Sequence, residues 1–124
     1  MKLSLVLTIS AVYMALLGVG TLLAPAAMSF GVVDATAMPA LLALLRLPAS
    51  SFFGIAVLNW MARNAEASKA RDAIALANTV GFGLAGLLMI WGALSGPTAT
   101  WLPAIVSLVL AGAFLWTGRA SMST

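Results

Sequence analysis

The charged residues of this chain divide it into four long apolar stretches, and this spacing limits the possible folds more than any other feature. Only 7% of the 124 residues are charged and 63% are hydrophobic, whereas a soluble domain carries roughly 25% charged residues. A membrane-spanning helix needs about 20 mostly apolar residues. The sequence therefore predicts a single integral membrane domain over residues 1–124, an all-α four-helix transmembrane bundle.

The apolar runs and the turn-forming residues between them predict the four spans. These spans cover residues 3–23, 41–62, 73–94 and 100–117. Pro25 and Gly31 follow the first span, and Ser95, Gly96 and Pro97 end the third, as expected of residues that interrupt helices. The first run is longer than the roughly 7 to 15 apolar residues of a secretory signal. We therefore expect an uncleaved first helix.

The basic residues predict the orientation of the bundle. With four crossings, five of the six basic residues fall on one side: Lys2, Arg63, Lys69, Arg71 and Arg119. The loops on the other side carry only Asp34. Because cytoplasmic loops are enriched in Lys and Arg, both termini are predicted to be cytoplasmic.

Small residues at helical spacing predict how the spans pack. Helices in lipid associate through close contacts between small side chains, because lipid tails provide little hydrophobic drive for helix association. The predicted packing positions are Gly18, Gly54, Gly81, Ala85, Gly92, Ser107 and Ala111. Alternatively, these small residues would form the contact face of a homo-oligomer.

Two asparagines provide the polar groups of the predicted helix interior. Asn59 and Asn78 flank the loop at 63–72 and are expected at similar depth on a helical hairpin. An amide pair between them would be worth about 0.6 kcal/mol and up to roughly 2 kcal/mol. Two roles are open for this pair: a structural link between helices, or part of a polar binding site.

Arg46 is the only charged residue inside a predicted span. A charge within the membrane is costly and is therefore a candidate functional group. Pro48 removes the N–H that would bond the Leu44 carbonyl, so a kink or a helix break is predicted there. If the helix is continuous, Arg46 faces the interior and pairs with Asp34. If a short interfacial helix over residues 36–46 precedes Pro48, Arg46 contacts lipid phosphate.

The residue types that are absent exclude several function classes. The chain has no cysteine and no histidine, which excludes thiolate chemistry and the commonest metal and haem ligand. Asp34, Glu66 and Asp72 lie in predicted loops or at helix ends, so proton-coupled export through a deep carboxylate is disfavoured. No catalytic residues, metal site or cofactor are expected. The basic residues are spread over helix ends, which argues against nucleic-acid binding.

A motif in the second span carries a family resemblance. Residues 45–54 read LRLPASSFFG and are followed by the basic loop at 63–72. This pattern, an arginine near the start of the second helix with a glycine further along, resembles small bacterial four-helix membrane proteins of the DoxX-like group. The resemblance implies a multi-pass bundle in the bacterial inner membrane and brings no catalytic residues.

Two functions are compatible with these features. The first is non-catalytic association, as an accessory or scaffold subunit of a membrane complex or as a homo-oligomer within the lipid bilayer. The alternative is a small carrier or binding protein for an apolar or anionic molecule. In that case Arg46, Asn59 and Asn78 would line a cavity, with Asp34 as a possible partner of Arg46.

Overall fold

The computed structural model describes residues 1–34, 36–96 and 99–122, with the backbone alone at 121 and 122. Every regular element in these residues is helical, which confirms the all-α prediction. The helices are α1 (Leu3–Leu23), α2 (Pro39–Leu45), α3 (Pro48–Ala62), α4 (Lys69–Ser95) and α5 (Trp101–Met122), with a 3-10 turn at Ala27–Ser29 after α1.

Four helical stretches among the described residues are long and apolar enough to cross a membrane: Leu3–Leu23, Pro39–Ala62, Lys69–Ser95 and Trp101–Ala120. Their outer surfaces carry large apolar side chains that are exposed, such as Leu16, Leu84 and Trp116. A water-soluble monomer rarely exposes so much contiguous apolar surface. Four helices of this length and exposed apolar character suggest a multi-pass membrane protein.

The second span consists of two helices, as Pro48 predicted. The Leu44 carbonyl accepts a hydrogen bond from the Leu47 N–H at 3.1 Å, and the Ala43 carbonyl accepts one from Arg46 at 3.1 Å. These shorter 3-10-type bonds replace the bond that Pro48 cannot donate. Pro48 then occupies the first turn of α3, where it needs no hydrogen-bond partner.

Local capping moves the start of α4 ahead of the predicted position. The Ser68 side chain accepts a hydrogen bond from the Arg71 N–H at 3.2 Å, a typical N-cap. Asp72 lies in the first turn, where a negative charge interacts favourably with the helix dipole. Helix α4 therefore begins at Lys69 rather than near residue 73, and the loop before it is correspondingly shorter.

The helices pack as two pairs, and the bundle is open on one side. Helix α1 lies along α3 and α4 lies along α5, while α1 also contacts α5; α3 and α4 barely touch. The interior between the pairs holds one stacked and one tilted pair of aromatic rings. Phe82 lies 6.0 Å from Phe114, centroid to centroid, and 6.4 Å from Tyr13. The fold thus leaves an opening between α3 and α4.

Only some of the predicted packing positions contact another helix. Gly18, Ser107 and Ala111 are buried, and a Cβ on Gly18 would meet the Phe53 ring at 2.8 Å. Ala85 and Gly92 are half-buried. By contrast, a Cβ on Gly54 or on Gly81 would have nothing within 4 Å. Packing at these two positions would require a partner outside the chain.

The glycine that brings α4 close to α5 is Gly86. A Cβ there would lie 2.6 Å from Leu108 Cγ and 3.3 Å from the Ala104 carbonyl oxygen. The buried positions of α4 are Ala75, Asn78, Phe82 and Gly86. The sequence suggested a row through Gly81 and Ala85, which is rotated by a fraction of a turn from the buried row. Residues three and four apart share one broad face of a helix, so the spacing of small residues does not distinguish the two rows.

Candidate functional site

A buried polar network links α1, α3 and α4. The Asn59 amide group donates to Asn78 Oδ1 and to Ser10 Oγ, both at 2.9 Å, and the Asn78 amide group donates back to Asn59 Oδ1 at 2.9 Å. The predicted amide pair is therefore present. Ser10 was not predicted; the only signal for it was a hydroxyl on the apolar helix α1.

The network satisfies its own hydrogen-bonding groups almost completely. The second N–H of Asn78 donates to the Ile74 carbonyl at 2.8 Å, and the Ser10 hydroxyl donates to the Leu7 carbonyl at 3.0 Å. Asn59 and Ser10 are wholly buried. A buried amide without partners would be costly, so these contacts fix α4 against the pair formed by α1 and α3. Asn59 lies near the end of α3, so the link closes the α3–α4 opening near the hairpin loop.

A cleft of about 280 Å³ adjoins this network and is lined by α1, α3, α4 and α5. Its walls are mainly aliphatic and aromatic, with Leu17, Phe52, Ile55, Phe82 and Met89 among the lining residues. Three polar side chains also line it: Tyr13, Asn78 and Ser107. An apolar cleft with a few polar groups is the usual form of a small-molecule site.

The cleft opens between α3 and α4. Its lining residues on that side are exposed: Leu58 on α3, at 47%, and Ala77 and Gly81 on α4. The opposite wall includes Tyr13 of α1 and Ser107 of α5. No charged side chain is among the described residues that line the cleft. The cleft is therefore neutral and is accessible from the side of the bundle.

Arg46 lies outside this cleft. Its side chain is exposed, and its Nε donates to the Leu22 carbonyl oxygen at 3.0 Å. Leu22 is in the last turn of α1, where helix carbonyls lack intrahelical partners and favour a cation. The arrangement of Arg46 with Asn59 and Asn78 around one cavity is therefore not present, because the break before Pro48 directs Arg46 to the end of α1.

Asp34 does not pair with Arg46 either. Its Oδ1 accepts hydrogen bonds from the Thr36 N–H at 2.8 Å and from the Thr36 hydroxyl at 2.9 Å. These bonds stabilise the carboxylate and lower the pKa of Asp34 below its usual value. The ion pair considered for a continuous second helix is thus replaced by a local turn within the loop.

Within the described residues, no three His, Cys, Asp or Glu side chains lie together. Comparison of the chain with family models, curated proteins and solved structures gave no match.

Proposed function

We propose that this chain is a multi-pass membrane protein that binds a neutral lipophilic molecule in the cleft between its four spans. One observation carries the proposal: a cleft of about 280 Å³ whose apolar walls include three polar side chains. Its opening between α3 and α4 faces the side of the bundle, so a molecule dissolved in the bilayer would enter without crossing water. The proposed role is binding, without catalysis and without a cofactor.

The lining residues define the class of ligand. An ionised group would be costly at this depth without a partner, and no described lining residue is charged. This argues for a neutral ligand and against the anionic one considered from Arg46. The Asn78 amide oxygen accepts one hydrogen bond in the network and has a second lone pair. The ligand is therefore an apolar body bearing one donor group, such as a hydroxyl.

The membrane context is the second part of the proposal. We infer from the distribution of the basic residues that both termini are cytoplasmic, and from the DoxX-like resemblance that the host membrane is the bacterial inner membrane. The Arg63 guanidinium lies 3.7 Å from the centre of the Trp60 ring, and such pairs of basic and aromatic residues are typical of membrane interfaces. A reporter fused into the loop at 63–68 should show a cytoplasmic signal. A periplasmic signal would overturn the orientation.

Association with another membrane protein is the second candidate function. Gly54 on α3 and Gly81 on α4 are exposed, with open space around both. Small residues on an exposed helix surface allow the close approach of another helix in lipid. In this case the partner is a second copy or another membrane subunit, and its helix would lie along the α3–α4 opening.

A matched pair of glycine substitutions tests the cleft. Gly81→Leu places a side chain at the mouth of the cleft, where a Cβ meets nothing. Gly112→Leu is the control, since Gly112 lies on an exposed face of α5 that is equally open. The full chain is purified from membranes in mild detergent, and bound compounds are extracted and identified by mass spectrometry.

We expect the wild type and Gly112→Leu to retain the same lipophilic compound and Gly81→Leu to lose it. Equal retention by all three proteins, or retention by none, would contradict the proposal. Native mass spectrometry of the same samples distinguishes the second candidate. A dimer or a complex that Gly81→Leu disrupts, without any bound compound in the wild type, would favour association.

A further inference from the structure

A second groove runs along the outer side of the α3–α4 hairpin, and we propose that it binds one anionic phospholipid. The phosphate would be held by Arg71 and one acyl chain would lie along α3. The groove is about 540 Å³ in volume. Leu58 lines both this groove and the cleft described above, so its side chain separates the two. This groove is therefore a site distinct from the cleft of the proposed function.

The apolar part of the groove has the dimensions of one lipid chain segment. On α3 it is formed by Gly54, Val57, Leu58 and Met61, whose spacing places them on one face of the helix. Gly54 and Met61 are about 10 Å apart along the axis at ~1.5 Å per residue. Ile74 of α4 forms part of the other wall. An extended acyl chain fits this strip, whereas a free phosphate would contact none of it.

Arg71 provides the charged end of the groove. Among the described residues, its Nε is the only buried side-chain nitrogen or oxygen without a hydrogen-bond partner. A guanidinium group matches the oxygens of a phosphate with parallel N–H donors. The Nε atom itself is closed to a ligand, whereas the Nη groups are not among the buried unpaired atoms, so the phosphate oxygens would bind at the Nη end of the guanidinium.

The surrounding charges leave Arg71 available to an anion. Asp72 follows it in sequence but lines a different groove, together with Arg119 of α5. Glu66 is exposed in the loop and does not line the Arg71 groove. Arg71 also lies in the first turn of α4, at the positive end of the helix dipole, which favours phosphate.

The position of Arg71 along the hairpin identifies the source of the phosphate. Arg71 lies beside the loop between α3 and α4, and in a bilayer spanned by these helices that end lies at the headgroup layer. Basic pockets between transmembrane helices at this depth bind anionic headgroups. The apolar strip then runs from the headgroup layer towards the membrane interior, in the direction that an acyl chain takes.

Native mass spectrometry of the purified full chain tests the site, with phosphatidylglycerol and phosphatidylcholine of identical chains as probes. Arg71→Gln is compared with Lys69→Gln. Lys69 carries the same charge two residues before Arg71, but its side chain does not line the groove. Arg71→Lys keeps the charge without the guanidinium fork. Gly54→Leu fills the apolar strip, with Gly112→Leu as its control, because both glycines have open space around them. Circular dichroism verifies that each variant is folded.

We expect the wild type to prefer phosphatidylglycerol and Arg71→Gln to lose about fivefold or more in affinity for it, the effect typical of one basic residue at the surface of an anionic membrane. Arg71→Lys should be intermediate. Gly54→Leu should weaken binding, and Lys69→Gln and Gly112→Leu should not. Equal losses in Arg71→Gln and Lys69→Gln would show general charge attraction and overturn the site. Inorganic phosphate that binds through Arg71, together with no effect of Gly54→Leu, would overturn the lipid as its ligand.

Discussion

Replacement of Asn59 by alanine should weaken the association of α4 with α1 and α3. Three hydrogen bonds involve the Asn59 side chain: two with Asn78 and one with Ser10. Side-chain hydrogen bonds between membrane helices average about 0.6 kcal/mol each. Three such bonds predict that Asn59→Ala lowers the free energy of unfolding by about 2 kcal/mol.

A double-mutant cycle isolates the part that belongs to the amide pair. Two reciprocal hydrogen bonds join Asn59 and Asn78, which gives an expected coupling energy of about 1.2 kcal/mol. This is somewhat less than a tenfold change in the unfolding equilibrium, for which the free-energy difference is about 1.4 kcal/mol. The bond from Asn78 to Ile74 lies within α4 and its loss largely cancels in the cycle.

The measurement is reversible unfolding in mixed micelles, with increasing SDS and circular dichroism as the probe. The four proteins of the cycle are the wild type, Asn59→Ala, Asn78→Ala and the double variant. Asn64→Ala is the matched control, because Asn64 is exposed just after α3 and a surface change should cost less than about 0.5 kcal/mol.

Additive effects of the two substitutions would refute this reasoning. Independent sites add to within about 0.3 to 0.5 kcal/mol. A coupling energy inside that range would mean that the amide groups do not interact across the α3–α4 opening. A loss in Asn64→Ala as large as that in Asn59→Ala would show that the assay does not report on the buried network.

Two further predictions use the same unfolding assay. Gly86→Ala should destabilise the fold by about 1 to 3 kcal/mol, the usual cost of overpacking, because its Cβ would meet Leu108 Cγ at 2.6 Å. Gly112 has open space around it, so Gly112→Ala should instead stabilise α5 by up to about 1 kcal/mol. An equal change in the free energy of unfolding for both variants would contradict the close contact at Gly86. Arg46→Gln should cost only about 0.3 to 1 kcal/mol, the value of a cation at a helix C-terminus, and should leave ligand retention by the cleft unchanged. Loss of the ligand in Arg46→Gln would show that Arg46 belongs to the binding site.

Local signals in the sequence were sufficient for the helices themselves. Long apolar runs bounded by charges and turn-forming residues predict where helices form, and the first of them coincides with α1. Proline lacks an N–H at any position, so the break at Pro48 followed from one residue. Asn59 and Asn78 were also predictable as a pair, because a short loop places the ends of an α-hairpin side by side.

Contacts between distant parts of the chain were not predictable in the same way. Gly81 is exposed and Gly86 is buried, although they differ by only a fraction of a turn around α4. Because α4 is apolar around most of its surface, its sequence does not indicate which of the two glycines is buried. Arg46 stands out in the sequence as the charge within a span, yet its partner is a backbone carbonyl of α1, and every residue has such a carbonyl. No residue type marks that contact in advance.

The sequence by itself thus determined the number of apolar helices, the break in the second span and the polar residues within the spans, because each depends on local chemistry and spacing. Only the tertiary structure decided that α1 packs on α3 and α4 on α5, which leaves α3 and α4 apart. The cleft, and the groove that ends at Arg71, exist because of that pairing. In lipid, close van der Waals packing decides which helices associate when their hydrophobicity is similar. Such packing depends on the shapes of side chains from distant parts of the sequence.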